Sequence, residues 1–262
     1  KVEIMHRVSD YYGPVIYKNF GNERALYEPD TQEDVYQFFL NDLKDAVDVL
    51  REYAADTDEE PEFSKFDILL DGTALSWIKF ANSLRLRLAV RVAMADPEKA
   101  RREFVAALTD EHGVLEEPFE LVKVSTENGY TNPLGEINRV WGEAYMNASM
   151  ESILNGYDDP RRNVFFEPCP DDVLFADGVG HDSVRVALKG QYRGIRQGTM
   201  FAHTFYSALS RVYVNTNTDA ILMTAAEVWF LRAEAALRGW TSETAGICYE
   251  RGVKCSFSQW QV

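Results

Sequence analysis

A chain of 262 residues with 42 Asp and Glu against 27 Lys and Arg carries a net charge of −15 with histidines neutral. That balance excludes a nucleic-acid binder working through general positive charge. A content of 46% hydrophobic and 13% aromatic residues excludes a disordered chain and supplies a large core. Three cysteines, Cys169, Cys248 and Cys255, are too few for a disulfide framework, and their odd number leaves at least one thiol free unless it pairs between chains. No apolar run approaches the ~18 residues of a membrane span.

Apolar residues spaced three and four apart mark at least seven helices, so the expected fold is mainly α. The first residues, Val2, Met5 and Val8, already follow a helical pattern with no capping residue before them, so a chain cut inside a helix is expected; the end, Phe257 to Val262, lacks a stop signal in the same way. An aromatic loop broken by Pro and Gly covers Tyr11 to Asp30. Thr31 with Asp34 then resembles a capping box opening a helix to about Tyr53. Asp56, Asp58, Glu59 and Glu60 form a charged loop that reads as solvated surface. The strongest helix runs from about Thr73 to Ala95 and ends at Asp96-Pro97-Glu98. There Asp96 can cap and Pro97 can begin the next helix, which reaches about Thr109.

Alternation at Leu121 to Val124 predicts a short extended piece, followed by a polar loop, Ser125 to Pro133, and a helix from Glu136 to about Asn155. Residues 156–221 are rich in Gly, Pro and Asp turns, with strand-like alternation at Val184, Val186 and Leu188 and at Val212 to Val214. They read as an irregular insertion. Thr224 with Glu227 repeats the capping-box spacing and starts a helix that Gly239 stops; a last helix covers Ser242 to Ser258. Trp229, Ala233, Ala245, Tyr249 and Gly252 sit at the offsets of a tetratricopeptide-type helix pair, and Leu84, Leu88, Ala100, Phe104 and Ala107 repeat them with more bulk. The expected organisation is one domain, 1–262, with a helical scaffold over 1–155 and 222–262 and the insertion over 156–221.

The residues offer no convincing catalytic or metal constellation. His6, His112, His181 and His203 are isolated from one another, and Cys248 and Cys255, seven apart on one helix, read as small core residues. Asp171, Asp172, Asp177 and Asp182 could gather oxygen ligands for Ca²⁺ but lack the ligand order and closing Glu of an EF-hand; no cofactor is expected. Loop aromatics are more informative: Tyr11, Tyr12, Tyr17, Phe20, Tyr27, Tyr130, Tyr192, Phe201, Phe205, Tyr206 and Tyr213. Sugar rings stack their C–H faces on such rings while amides, carboxylates and guanidinium groups bond the hydroxyls. Two groups fit that chemistry, Asn128, Tyr130 and Asn132, and Gln191, Tyr192 and Arg193. The plainer alternative is that these rings pin long loops to the helices.

Several strings together resemble the SusD/RagB family of nutrient-binding outer-membrane lipoproteins, nearest its SusD-like branch. They are "DYYGPVIY" (Asp10 to Tyr17), "WIKFANSLRLRLAVRVA" (Trp77 to Ala93), "NPLGEINRVWGEAYMNASMESILNGYDDPR" (Asn132 to Arg161), "MTAAEVWFLRAEAALRGW" (Met223 to Trp240) and "YERGVKCSFSQW" (Tyr249 to Trp260). The resemblance implies a largely helical fold of tetratricopeptide-like pairs with a loop-rich insertion, and no catalysis. It further implies a lipid anchor, not present in this chain, on the cell-surface side of the outer membrane. It also implies delivery of an oligosaccharide or other nutrient to a SusC-type TonB-dependent transporter. Trp77, Asn82, Arg85, Arg87, Glu227, Arg232 and Glu234 look like scaffold residues of that family, and Asp158, Asp159 and Arg161 like its helix-ending turn. Ligand contacts share no motif in the family, so the expected site, Asn128, Tyr130, Asn132, Tyr192 and Arg193, rests on the residues alone. A helical-repeat scaffold for another protein is the competing reading, and an α-helical glycoside hydrolase with paired carboxylates a third.

Overall fold

The computed structural model describes the chain except residues 19, 22–26, 57–63, 177–182 and 199–208. The described residues are mainly helical and group into two compact units, Lys1–Lys123 with Ile221–Ser256, and Val124–Ala220 with Phe257–Val262. The second unit therefore takes in residues 124–155, which the sequence assigns to the scaffold.

In the first unit α1 (Val2–Tyr12), α2 (Gln32–Asp56), α3 (Ala74–Val92) and α4 (Pro97–Leu108) precede a strand, β1 (Leu121–Val124). At α2 the Thr31 hydroxyl oxygen accepts the Asp34 N–H (3.1 Å), as expected of the capping box, but the Asp34 carboxylate takes the Thr31 hydroxyl proton instead of the backbone N–H. Asp96 accepts the Lys99 N–H at the start of α4. From Phe80 to Ala89 helix α3 is buried on all sides, and it packs most extensively against α2 and α4. Its core partners include Phe39, Leu40, Val47 and Phe104. Arg85 and Arg87 lie within that apolar helix because each finds a carboxylate: Arg85 reaches Glu103 at 3.5 Å, and Arg87 reaches Glu227 at 2.6 Å and Glu3 at 3.1 Å. Tyr17, counted among the loop aromatics, belongs to this core: it is 2% exposed, donates its hydroxyl to Asp42 at 2.6 Å, and burial pushes its pKa well up.

The pair α8 (Ala225–Leu237) and α9 (Ala245–Gln259) completes the unit. Ala226, Trp229, Ala233, Cys248 and Cys255 pack together, and Gly252 lies so close to the Phe230 ring that a Cβ there would meet it at 2.8 Å. The small residues thus act as a tetratricopeptide-type pair requires. Trp229 lies against the guanidinium groups of Arg232 (3.7 Å) and Arg251 (4.7 Å) and donates its indole N–H to the Glu116 carbonyl. Glu227 caps nothing in return for Thr224: its carboxylate serves Arg87. A strand the helical period does not show, β4 (Ala220–Thr224), pairs with β1.

Before α3 the chain turns through Asp71 and Gly72, both at positive φ (54° and 75°). Asp67, 8% exposed, organises the turn by accepting N–H groups of Leu69 (2.9 Å), Leu70 (3.2 Å) and Gly72 (2.7 Å) and the Trp77 indole N–H (2.6 Å). Burial alone would raise its pKa, but these donors hold the carboxyl below its ordinary value. A depressed folded pKa means stabilisation present above the unfolded value of about 4 and lost as the pH falls through the folded value. Asp67→Ala is therefore expected to cost about 2 kcal/mol near pH 7. Urea denaturation across pH should show that deficit shrinking below about pH 4; a pH-independent deficit would assign the effect to packing.

The second unit corrects two expectations. The helix expected from Glu136 to about Asn155 is instead α5 (Pro133–Glu136), a wide π turn (Ile137–Trp141), an extended stretch, and α6 (Ala148–Gly156). Gly142 in the left-handed region (φ 69°) ends the first part, and Asn147 restarts the helix by accepting the Met150 N–H at 2.7 Å. Between them, Tyr145 and Asn147 form isolated bridges with Arg211 and Ile195. The Val212 to Val214 alternation likewise yields single bridges and not a strand. A short helix, α7 (Arg162–Phe165), follows the Asp159–Arg161 ion pair (2.5 Å), so the Asp158-Asp159-Arg161 turn is structural as the resemblance implied. A hairpin of β2 (Val173–Ala176) and β3 (Ser183–Val186) pairs Val173 with Val186. Met146, Leu154 and Phe166 form the local core.

Candidate ligand-binding site

Two chain segments far apart in sequence meet in the second unit. Ser125 accepts the Glu127 N–H, opening a 3₁₀ turn (Thr126–Asn128) that Gly129 reverses at φ 79°. Thr126 donates its N–H to Asp219 Oδ1 (2.9 Å) and its hydroxyl to the Asn217 carbonyl (3.1 Å). Asn132 donates its backbone N–H to the Thr216 carbonyl (2.8 Å) and its amide to the Thr218 carbonyl (3.0 Å), while its own Oδ1 caps α5 through the Leu134 N–H (3.0 Å). These bonds hold residues 125–132 and 215–219 side by side.

The seam leaves an open hollow of about 470 Å³ lined by Thr126, Glu127, Tyr130, Thr131, Thr216 and Asn217, with Gly129 at its turn. Its chemistry is one half-buried phenol ring, three threonines, an amide and a carboxylate, with no cation among them. Hydroxyls and amides donate and accept, a carboxylate only accepts, and a phenol ring offers an apolar face. Such a lining suits a neutral, hydroxyl-rich ligand and disfavours an anionic one.

Of the expected site residues, Tyr130 lines this hollow, while Asn132 is 4% exposed with its amide engaged in the seam. The side chain of Asn128 lies outside the described residues. Tyr192 and Arg193 are not among the residues lining it. Tyr192 is half-buried beside Met146 and Phe166 with the Arg162 guanidinium 4.8 Å from its ring; Arg193 pairs with Glu151 at 2.7 Å. Gln191 donates to the Ala187 carbonyl. Thr126, Glu127, Thr131, Thr216 and Asn217 were missed. The polar run Asn215 to Asp219 was the available signal, but alone it reads as a turn.

Asp177 and Asp182 of the acidic loop considered for Ca²⁺ lie outside the described residues, as do Phe201, Phe205, Tyr206, His181 and His203. Asp172 accepts the N–H groups of Leu188 and Lys189. Among the described residues no three His, Cys, Asp or Glu side chains converge for a metal, and no helix is long and apolar enough to cross a membrane.

A sequence model of the family described as SusD-like, Susd and RagB outer membrane lipoprotein, matches residues 1–262. The chain belongs to the SusD/RagB family. Among solved structures, a SusD homologue from Bacteroides vulgatus is 41% identical at a TM-score of 0.85, covering 100% of this chain and 51% of its own. A chitin-binding SusD homologue from Flavobacterium johnsoniae is 36% identical at 0.86, covering 100% and 52%. A SusD-like protein from Bacteroides thetaiotaomicron is 29% identical at 0.84, covering 100% and 51%. This SusD-like chain thus spans about half the length of the structures it matches. The comparison with curated proteins gave no match.

Proposed function

We propose that this SusD-like chain is part of a cell-surface lipoprotein of the outer membrane that holds a neutral oligosaccharide reversibly and passes it to a SusC-type TonB-dependent transporter. Binding, not turnover, is its work. Membership of a family of outer-membrane lipoproteins supports the location, and the chitin-binding Flavobacterium johnsoniae relative supports a glycan as ligand. The observation that carries the ligand class is the Tyr130 hollow: one ring among hydroxyls and an amide, with no cation. It is shallow, so little of a sugar is buried and the affinity is expected to be weak.

Titration calorimetry with soluble oligosaccharides, beginning with chitohexaose, tests the reading. Tyr130→Ala removes the apolar platform and is expected to weaken binding about ten-fold, the worth of a good ring contact. Wild-type affinity in that variant would take the hollow out of the proposal. Reducing ends released from polysaccharide by the purified chain would replace binding with hydrolysis.

A further inference from the structure

The first unit contains a polar hollow that the Tyr130 reading does not use. About 560 Å³ in volume, it lies beside the C-terminal half of α1 and is lined by His6, Arg7, Asp10, Tyr11, Arg91 and Glu227, with Arg87 and Leu222 behind. A larger hollow of about 830 Å³ shares Asp10 and Arg91 with it and adds Gln32, Glu33 and an apolar floor of Leu40 and Val92. Both fall within the volumes at which small ligands are held.

Its groups have specific valences. His6 is fully buried, and its Nδ1 lies 3.2 Å from the Val2 carbonyl oxygen. A carbonyl can only accept, so Nδ1 carries the hydrogen and the neutral ring presents a lone pair at Nε2. That Nε2 has no hydrogen-bond partner among the described residues. Burial holds the pKa down at about 4, so the lone pair persists at neutral pH. A buried acceptor left unpaired is costly, and Nε2 has no surface open to solvent, so a hydroxyl reaches it only if the side chains around it move.

The charges here pair off without excess. Arg91 bonds Asp10, Arg7 bonds Glu3 (3.0 Å), and Arg87 bonds Glu227 and Glu3. Three guanidinium groups thus face three carboxylates, which gives a dense array of fixed donors and acceptors with no net attraction for an ion. Arg7 and Arg91 are about half exposed, and each guanidinium has five N–H groups, more than one carboxylate occupies. At the rim Tyr11 is 87% exposed; Tyr12, outside the lining, is 80% exposed with its ring centre 6.5 Å from that of Tyr11. The Tyr11 ring, left in water at the edge of a pre-ordered polar hollow, offers a stacking face.

From this juxtaposition we infer a second saccharide site on the first unit, in which a neutral sugar stacks on Tyr11 and bonds its hydroxyls to Arg7 and the Arg91–Asp10 pair. It rests on the glycan-binding reading above but uses none of the same residues. Because Asp10 and Arg91 border both hollows, a chain of several sugar units runs from the Tyr11 rim across that pair toward Gln32 and Glu33.

Calorimetry of the chain with chitohexaose, maltohexaose and xylohexaose tests it, with variants at the exposed Tyr11 and the half-exposed Arg7. The expected result is two binding events for one of these ligands: Tyr11→Ala and Arg7→Ala each weaken one event about ten-fold, and Tyr130→Ala weakens the other. A single event abolished by Tyr130→Ala and untouched by Tyr11→Ala overturns the second site and leaves the first. A single event abolished by Tyr11→Ala alone supports the second site and removes the first. Tighter binding of an oligogalacturonate than of the neutral sugars overturns the assignment to neutral ligands, and no binding of any probe overturns both sites.

Discussion

Arg87→Met should unfold the first unit at markedly lower urea, with a loss of about 3 kcal/mol at pH 7. The guanidinium, 8% exposed, is the junction of four elements: it bonds both carboxylate oxygens of Glu227 on α8 (2.6 and 2.7 Å), Glu3 on α1 (3.1 Å) and the Leu222 carbonyl of β4 (2.8 Å), all from α3. Methionine fills much of the same volume, so the loss is electrostatic and not a cavity. What remains is a carboxylate, Glu3, whose side chain is 13% exposed and which, among the described residues, keeps only the more exposed Arg7 as its cation. Burial raises the Glu3 pKa even with Arg87 and Arg7 opposing it. Removing Arg87 raises it further, and a group with a raised folded pKa destabilises as the pH climbs through that value. The penalty should therefore be larger at pH 7 than near pH 4.5, where Glu3 takes up a proton. A variant whose urea midpoint matches the wild type at both pH values would show that the network contributes nothing net. Adding Glu3→Gln and Glu227→Gln to Arg87→Met should restore much of the loss, because neutral amides do not demand a counter-ion.

Much of the first unit was legible in the sequence because its signals are local. Thr31, Asp96 and Thr224 cap the helices they were expected to open, and Gly239 at φ 70° follows the stop of α8. Small residues at fixed offsets announce a helix pair because only they allow close approach, as Gly252 against Phe230 shows. The second unit was harder to read because distant partners decide its local structure. The apolar spacing runs straight through Gly142, and nothing within reach of a helical period reveals that Asn138 donates its amide to the carbonyls of Val212 (2.6 Å) and Val214 (2.9 Å). The hollow was half legible for the same reason. Tyr130 and Asn132 stand out as an aromatic among amides, whereas Thr216 and Asn217 gain their role only from a segment more than eighty residues earlier. Tyr192 and Arg193 carry equally good binding chemistry, but they lie away from the Tyr130 hollow, with Arg162 and Glu151 as their neighbours. Composition identifies groups able to bind sugar; the fold determines which of them come together.

Gly135→Ala is expected to damage the Tyr130 hollow without replacing any residue that lines it. A Cβ at this position would lie 2.2 Å from both the Asn215 carbonyl carbon and the Thr216 nitrogen and 2.6 Å from the Asn215 oxygen. All three are backbone atoms, so no rotamer change relieves the contact and the 215–217 segment must shift bodily. That segment is tied by Asn132 to the Thr216 and Thr218 carbonyls and by Asp219 to the Thr126 N–H, and the shift strains every one of these bonds. Overpacking of this kind together with weakened buried hydrogen bonds should cost about 3 kcal/mol. The functional consequence is the sharper one: Thr216 and Asn217 form one wall of the hollow, so the Tyr130-dependent sugar event should disappear while the Tyr11-dependent event persists. Gly194→Ala provides the control. Its Cβ would meet the Asn147 carbonyl oxygen at 2.3 Å, an equally severe clash at a junction that does not border the hollow. Comparable thermal destabilisation in both variants, with sugar binding lost only in Gly135→Ala, would show that close backbone passage at Gly135 builds the site. Wild-type chitohexaose affinity in Gly135→Ala would show that the seam does not hold the ligand.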